Sequence, residues 1–150
     1  MNPPLPNPEH RWLSQLLGAW TWSAEPIAGH DHGPQSGTEC FRAIGDIWVQ
    51  GDGDGSYGVT QMTLGFHPAT GRFVGTWVGS MMTHLWVYDG ALEGNRLTLN
   101  SVGPAMTGEG NANYRDVVEL IGPDERTLQG YVEGPAGTWT HFMSARYRRV

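Results

Sequence analysis

The chain has 150 residues, which fits a single domain, and its 39% hydrophobic residues and seven Trp exclude an intrinsically disordered protein. Its net charge of −6 would repel a phosphate backbone, so we expect no nucleic-acid partner. No stretch approaches the ~20 apolar residues of a membrane-spanning helix, and no charged-then-apolar signal segment opens the sequence. We therefore expect no membrane partner and a cytoplasmic location.

The first predicted element is a short helix over residues 8–17, after a flexible Pro-rich arm at residues 1–7. Asn7 can cap this helix and Pro8 suits its first position. Gly18 is a natural stop. Four apolar side chains recur at helical spacing: Trp12, Leu13, Leu16 and Leu17. We expect this stripe to cover one end of a core.

After the helix, the sequence changes to short stretches rich in β-branched and aromatic residues, separated by Gly, Pro, Asn and Asp. About ten strands are predicted: 20–24, 37–44, 46–51, 58–67, 72–80, 83–89, 96–102, 114–121, 127–133 and 137–148. No second helix is available for a parallel crossover, and this many antiparallel strands leave exposed edges unless the sheet closes. We therefore predict an all-β fold, a single antiparallel up-and-down β-barrel domain over residues 8–150 with one short N-terminal helix.

The segment from Gly18 to Trp20 resembles the Gly-x-Trp signature that opens the first strand of lipocalins and other calycins. In that family the Trp lies at the closed end of the barrel, and a basic side chain from the last strand packs across it. The resemblance implies that Arg146 or Arg148 has this role here. Gly18, Trp20 and these two Arg are the structural residues that it implies.

A closer resemblance covers nearly the whole chain. It rests on the segments PEHRWL (8–13), MTLGFHP (62–68), GRFVGTWVGSMMTHLWVY (71–88), YRD (114–116) and ARYRR (145–149). These motifs are similar to a bacterial family, domain of unknown function 1579, with a lipocalin-like barrel. The resemblance implies the fold and no activity.

Strand alternation groups aromatic and polar side chains on two faces. His84, Trp86 and Tyr88 share one face of the strand 83–89, and Trp139 and His141 share a face of the strand 137–148. If both faces point inward, the barrel offers a cavity for a small apolar or aromatic ligand. The ligand-binding candidates are Trp77, His84, Trp86, Tyr88, Trp139 and His141.

The same alternation places Arg146 on the face opposite His141. Both can have their expected roles only if a β-bulge near Ser144 changes the alternation. A barrel filled by its own side chains is the alternative to a cavity. It would act as an interaction module, with surface aromatic residues forming a homodimer.

Two further functions stay open. The weak catalytic candidates His84 and Tyr88 could transfer protons in a cofactor-free isomerase, cyclase or hydrolase, but the sequence supplies no third, orienting group. His84 or His141 could bind haem as an axial ligand. Otherwise we expect no cofactor and no metal, because His30-Asp31-His32 offers too few ligands and Gly51–Ser56 lacks the carboxylate that a calcium loop needs at residue 63.

Overall fold

Ten antiparallel strands close into a barrel in the computed structural model, which describes residues 1–30 and 32–150. The predicted fold class is confirmed. The elements are α1 (Pro8–Ser14), β1 (Gly18–Ala24), β2 (Ser36–Ile44), β3 (Trp48–Gly55), β4 (Gly58–His67), β5 (Arg72–Gly79), β6 (Trp86–Glu93), β7 (Arg96–Pro104), β8 (Asn111–Gly122), β9 (Glu125–Glu133), a 3-10 turn (Pro135–Gly137) and β10 (Trp139–Arg149). No helix in these residues is both long and apolar enough to span a bilayer. Asp31, the centre of the His30-Asp31-His32 motif, lies outside the described residues.

Each strand pairs with the next one along the chain, and β1 pairs with β10 to close the barrel. At this closure Trp22 lies opposite Tyr147. Since paired residues point to the same side of a sheet, this register directs both rings into the barrel. The closure thereby brings aromatic residues from the two ends of the chain together.

The glycine-rich segment after Val49 is a strand, although the sequence predicts that the strand ends at Gly51 and a turn follows. β3 continues to Gly55, and the turn consists of Ser56 and Tyr57. The reason is packing, because a Cβ at Gly55 would lie 2.5 Å from the Trp22 ring. Glycine inside a strand commonly marks such a close approach.

One end of the barrel, called the closed end below, is covered by α1. Helix residues Trp12 and Leu13 are buried there. His10 joins the helix to the sheet, since its Nδ1 accepts a hydrogen bond from the Asn7 backbone N–H at 2.8 Å and its Nε2 donates to the Phe66 carbonyl at 3.2 Å. The helix stops at Ser14, three residues before the predicted end, and a turn leads into β1.

Trp20 lies at the closed end, where it is 1% exposed and donates from Nε1 to the Leu16 carbonyl at 2.8 Å. Two guanidinium groups flank its ring, those of Arg126 at 4.8 Å and Arg149 at 4.2 Å from the ring centroid. Arg149 also donates to the carbonyls that follow α1, including that of Leu17 at 2.6 Å. This arginine therefore joins the last strand to both the helix and Trp20.

Gly18 is needed at the start of β1 for two reasons. Its φ is +112°, a region that favours glycine, and a Cβ there would lie 2.8 Å from Nη1 of Arg149. The chain can therefore turn from the helix into the barrel while Arg149 passes close to its backbone.

The expectation that Arg146 or Arg148 packs on Trp20 is wrong. Arg149 lies opposite Trp20 in the register of the two strands and therefore shares its inward direction. Arg146 points outward and pairs with Glu25 and Glu125, while Arg148 is exposed.

Arg126 of β9 forms a buried ion pair with Glu39 of β2, and the closing strands β10 and β1 lie between these two strands in the barrel. The two side chains are 3% and 10% exposed. The Arg126 guanidinium also lies 3.8 Å from the centroid of the Tyr147 ring. Removing one member of a buried pair leaves an uncompensated charge, so each member depends on the other.

We expect R126A to lower the free energy of unfolding by about 3–5 kcal/mol, because it strands the Glu39 carboxylate inside the barrel. Urea unfolding followed by Trp fluorescence measures the change. The matched control is R96A, which breaks the exposed pair of Arg96 with Glu119 and should cost no more than about 1 kcal/mol. Equal losses in the two variants would contradict the role of the buried pair.

Candidate functional site

The barrel encloses a cavity of about 480 Å³ in the half that lies away from α1. It opens among the loops at that end, here called the open end, where Tyr57, Met82, His84 and Met106 contribute to its lining. Apolar and aromatic side chains form most of its wall: Trp22, Tyr57, Met62, Trp77, Met82, Trp86, Met106, Tyr114, Leu128, Phe142, Met143 and Ala145. The barrel is therefore packed at the closed end and hollow toward the open end.

Four of the predicted site residues line this cavity: Trp77, His84, Trp86 and Tyr88. His84 does so from the loop before β6 and not from a strand. Its Nε2 donates to the Val102 carbonyl at 3.1 Å, and its ring packs edge-on against Trp86 at 4.7 Å between centroids. His84 thus lies at the mouth, while Tyr88 lies deeper in the barrel.

Trp139 and His141 are outside the cavity, which contradicts their expected inward direction. A β-bulge in β10 between His141 and Met143 is the physical reason, because it turns both Phe142 and Met143 toward the cavity and reverses the alternation before them. From the sequence, a bulge near Ser144 is the condition under which both His141 and Arg146 could lie inside the barrel, whereas the observed bulge turns His141 outward.

On the outer surface both residues have partners. His141 stacks on Tyr131 at 4.8 Å and its Nε2 lies 2.6 Å from Oε1 of Gln129. The guanidinium of Arg115 lies 4.0 Å from the Trp139 ring centroid. These are ordinary cross-strand contacts on the outer face of the barrel.

The most specific polar contact in the cavity joins Tyr88 and Asp116. The Tyr88 hydroxyl donates to Oδ2 of Asp116 at 2.6 Å. Burial raises the pKa of Asp116 to about 6, although the hydrogen bond from Tyr88 partly opposes this. Burial, and secondly the charge of Asp116, raises the pKa of Tyr88 well above its ordinary value, so the phenol stays protonated.

Asp116 is not among the site residues predicted from the sequence. A signal for it exists in β8, where Tyr114, Asp116, Val118 and Leu120 alternate as an otherwise apolar, inward face. A carboxylate within such a face is unusual, because burying a charge is costly unless it has partners. Its partner, Tyr88, lies two strands away and is not evident from sequence spacing.

Three further polar residues surround this pair in the deepest part of the cavity: Glu39, Ser101 and Tyr147. Together with Tyr88 and Asp116 they are called the cavity floor below. Burial and then the charge of Glu39 raise the pKa of Tyr147. Its hydroxyl has no hydrogen-bond partner among the described residues. It is therefore a protonated donor open to a ligand.

No group of three or more potential metal ligands occurs in the part of the chain that the structure describes. The polar groups of the floor are two carboxylates, two phenols and one hydroxyl. Their arrangement suits hydrogen bonding to an organic molecule.

Comparisons with known proteins identify the fold and a family. The family model described as "Protein of unknown function (DUF1579)" matches residues 5–149. No curated protein matches the chain. The crystal structure of Rv2717c from M. tuberculosis is similar with a TM-score of 0.58 and 15% identity, over 96% of this chain and 98% of that one. The structure of EF1p2_mFAP2b bound to DFHBI is similar with a TM-score of 0.47 and 10% identity, over 94% of this chain and 98% of that one.

Asp116 should make the stability of the protein depend on pH with an unusual sign. Its pKa in the folded state, about 6, lies above the ordinary value of 3.8 for an aspartate carboxyl. Between these values the folded state binds more protons than the unfolded state, so stability falls as the pH rises. A shift of this size corresponds to about 3 kcal/mol.

We therefore expect D116N to gain about 3 kcal/mol in unfolding free energy relative to wild type as the pH rises from below 4 to above 6. Urea unfolding of both proteins across this range measures the difference, in which the contributions of all other groups cancel. A difference that does not change with pH would contradict the burial of the Asp116 charge.

Proposed function

Since the chain belongs to the DUF1579 family, whose description names no function, we propose a function from its own geometry: it binds a small apolar or aromatic molecule in the barrel cavity. The observation that carries the proposal is the cavity of about 480 Å³ with an aromatic wall and a small polar floor. Pockets that hold small molecules have volumes of about 300–1,000 Å³ and the same composition.

The wall has the properties that such a ligand requires. Trp22, Trp77 and Trp86 present rings that can stack on a planar molecule or pack against an alkyl chain. Gly53 and Gly55 also line the cavity, and because they have no side chains the Thr60 hydroxyl and the Trp22 ring can pack closely against β3. This hollow interior favours ligand binding over the filled-barrel interaction module. A homodimer stays a prediction.

Haem binding also stays a prediction, and it now concerns His84 alone. His141 lies on the outer face, where its ring is engaged with Gln129 and Tyr131. His84 lines the mouth of the cavity, but Nε2 would have to leave the Val102 carbonyl before it could ligate iron. No observation favours this function over binding of an organic molecule.

We expect the neutral fluorescent probe N-phenyl-1-naphthylamine to bind the cavity and to quench Trp fluorescence. W86A should weaken its binding about tenfold, because Trp86 supplies aromatic contact area in the wall. Fluorescence titration measures both affinities.

W139A is the matched control, since it removes the same side chain from the outer face, and it should bind the probe as wild type does. Loss of affinity in W139A with none in W86A would contradict the site. Absence of binding to the wild-type protein would contradict the proposed function.

A second candidate function, proton transfer to or from a bound molecule, is favoured by the hydrogen bond between Tyr88 and Asp116. The sequence analysis considered His84 with Tyr88, but the hydroxyl of Tyr88 donates to Asp116. A carboxylate in an apolar cavity is a stronger base than one in water, and a pKa of about 6 is close to the value that suits acid–base catalysis near neutral pH.

The Kemp elimination of 5-nitrobenzisoxazole tests this second function. The Asp116 carboxylate would take the proton from C3, the C–H electrons would form the nitrile, and the N–O bond would break to release the phenolate. We expect a rate above buffer that rises with pH through about 6 and that D116N reduces at least about tenfold.

D89N is the control for this assay, because Asp89 lies on the outer face in an exposed pair with Arg72. It should leave the rate unchanged. A rate in D116N equal to that of wild type would contradict a role of Asp116 as base.

A further inference from the structure

The charged side chains in the described lining of the cavity are negative. Two carboxylates, Glu39 and Asp116, lie on the cavity floor, and no Arg is among the described residues that line the cavity. The sequence contains no Lys, so no lysine ammonium group can balance these carboxylates. The described lining includes a single imidazole, that of His84, and it lies at the mouth and already donates to a carbonyl.

The nearest arginine is not available to a ligand. Arg126 is 3% exposed, pairs with Glu39 and lies between the rings of Trp20 and Tyr147. Its positive charge is therefore compensated by Glu39, a member of the floor. The negative charge of Asp116, which lies above this pair, therefore has no positive charge among the described lining residues to balance it.

Asp116 also has an unused acceptor. Tyr88 donates to Oδ2, while Oδ1 has no hydrogen-bond partner among the described residues. The side chain is enclosed by the barrel but remains partly accessible from the cavity. An acceptor in such surroundings gains most from a donor that a ligand brings with it, because water solvates it poorly there.

Tyr147 lines the same cavity, and its hydroxyl offers a donor with no partner in the described residues; burial, Glu39 and, to a smaller extent, Asp116 raise its pKa. A ligand group that both donates and accepts, such as a hydroxyl or an amine, can satisfy Asp116 and Tyr147 together. A carboxylate can satisfy only Tyr147, and it faces the two floor carboxylates.

We infer that the cavity selects ligands whose buried end is a hydrogen-bond donor, neutral or cationic, and discriminates against ligands that end in a carboxylate. This inference rests on the proposed binding function and names the ligand class. The observation that carries it is a floor with Asp116 uncompensated and with the one nearby arginine already paired.

Three probes that share a naphthalene ring test the ligand class: 1-naphthylmethylamine, 1-naphthalenemethanol and 1-naphthoate. We expect the amine to bind at least about tenfold more tightly than the carboxylate near neutral pH, with the alcohol between them, because opposite charges attract strongly in a low-dielectric cavity. Calorimetry or Trp quenching gives the three dissociation constants.

The pH dependence has a defined direction. Asp116 interacts with two ionisable groups of the floor, Tyr88 from β6 and Tyr147 from β10. These phenols interact in turn with Glu39 from β2, and Tyr147 also interacts with Arg126 from β9 and Tyr57 from the β3–β4 turn. Below the pKa of Asp116, about 6, its carboxyl becomes neutral. Binding of the amine should then weaken and binding of the carboxylate should strengthen, and the reverse order would overturn the inference.

D116N removes the charge with little change in shape, and it should reduce the preference for the amine over the carboxylate to about threefold or less. D89N, with the same substitution on the outer face, should keep the wild-type preference. Equal binding of amine and carboxylate to the wild-type protein would overturn the ligand class, as would a preference that survives in D116N.

Binding of N-phenyl-1-naphthylamine separates this result from the proposed function. If that probe binds and the three naphthalene probes show no order, the ligand class is wrong and the binding function stands. If none of the four binds, both are wrong.

Discussion

The buried ion pair between Arg126 and Glu39 is the contact on which both halves of the barrel depend. Arg126 extends from β9 below the cavity floor, where its guanidinium packs on Trp20 at the closed end and on Tyr147 at the floor. Glu39 reaches it from β2, across the interior. A charge in this position is tolerated only because the partner is present, and so the pair fixes the boundary between a packed half and a hollow half.

Below this boundary, the helix and the last strand close the barrel together. Arg149 packs on Trp20 and binds the carbonyls that follow α1, so the C-terminal strand holds the N-terminal helix in place. Above the boundary, glycines at inward positions of β3 let rings from neighbouring strands, such as that of Trp22, pack closely against the sheet and form the cavity wall.

The polar groups of the floor decide what this space can hold. Tyr88 occupies one oxygen of Asp116, and the positive charge of Arg126 is already compensated by Glu39. The floor consequently offers acceptors and one unpaired phenol, but no free cation among the described residues. Burial raises the pKa of Asp116, and so ligand choice and proton affinity are coupled at this one residue.

The amino-acid sequence by itself determined the all-β class, the leading helix and the family, because periodicity, turn residues and family motifs are local signals. It also grouped Trp86 and Tyr88, which alternate on one uninterrupted strand. The face of Trp139 and His141 was decided only by the tertiary structure, since a bulge whose position depends on pairing with β9 reverses the alternation. The partners of Asp116 and Trp20 were decided there too, because they come from strands far apart in sequence that only barrel closure and register bring together.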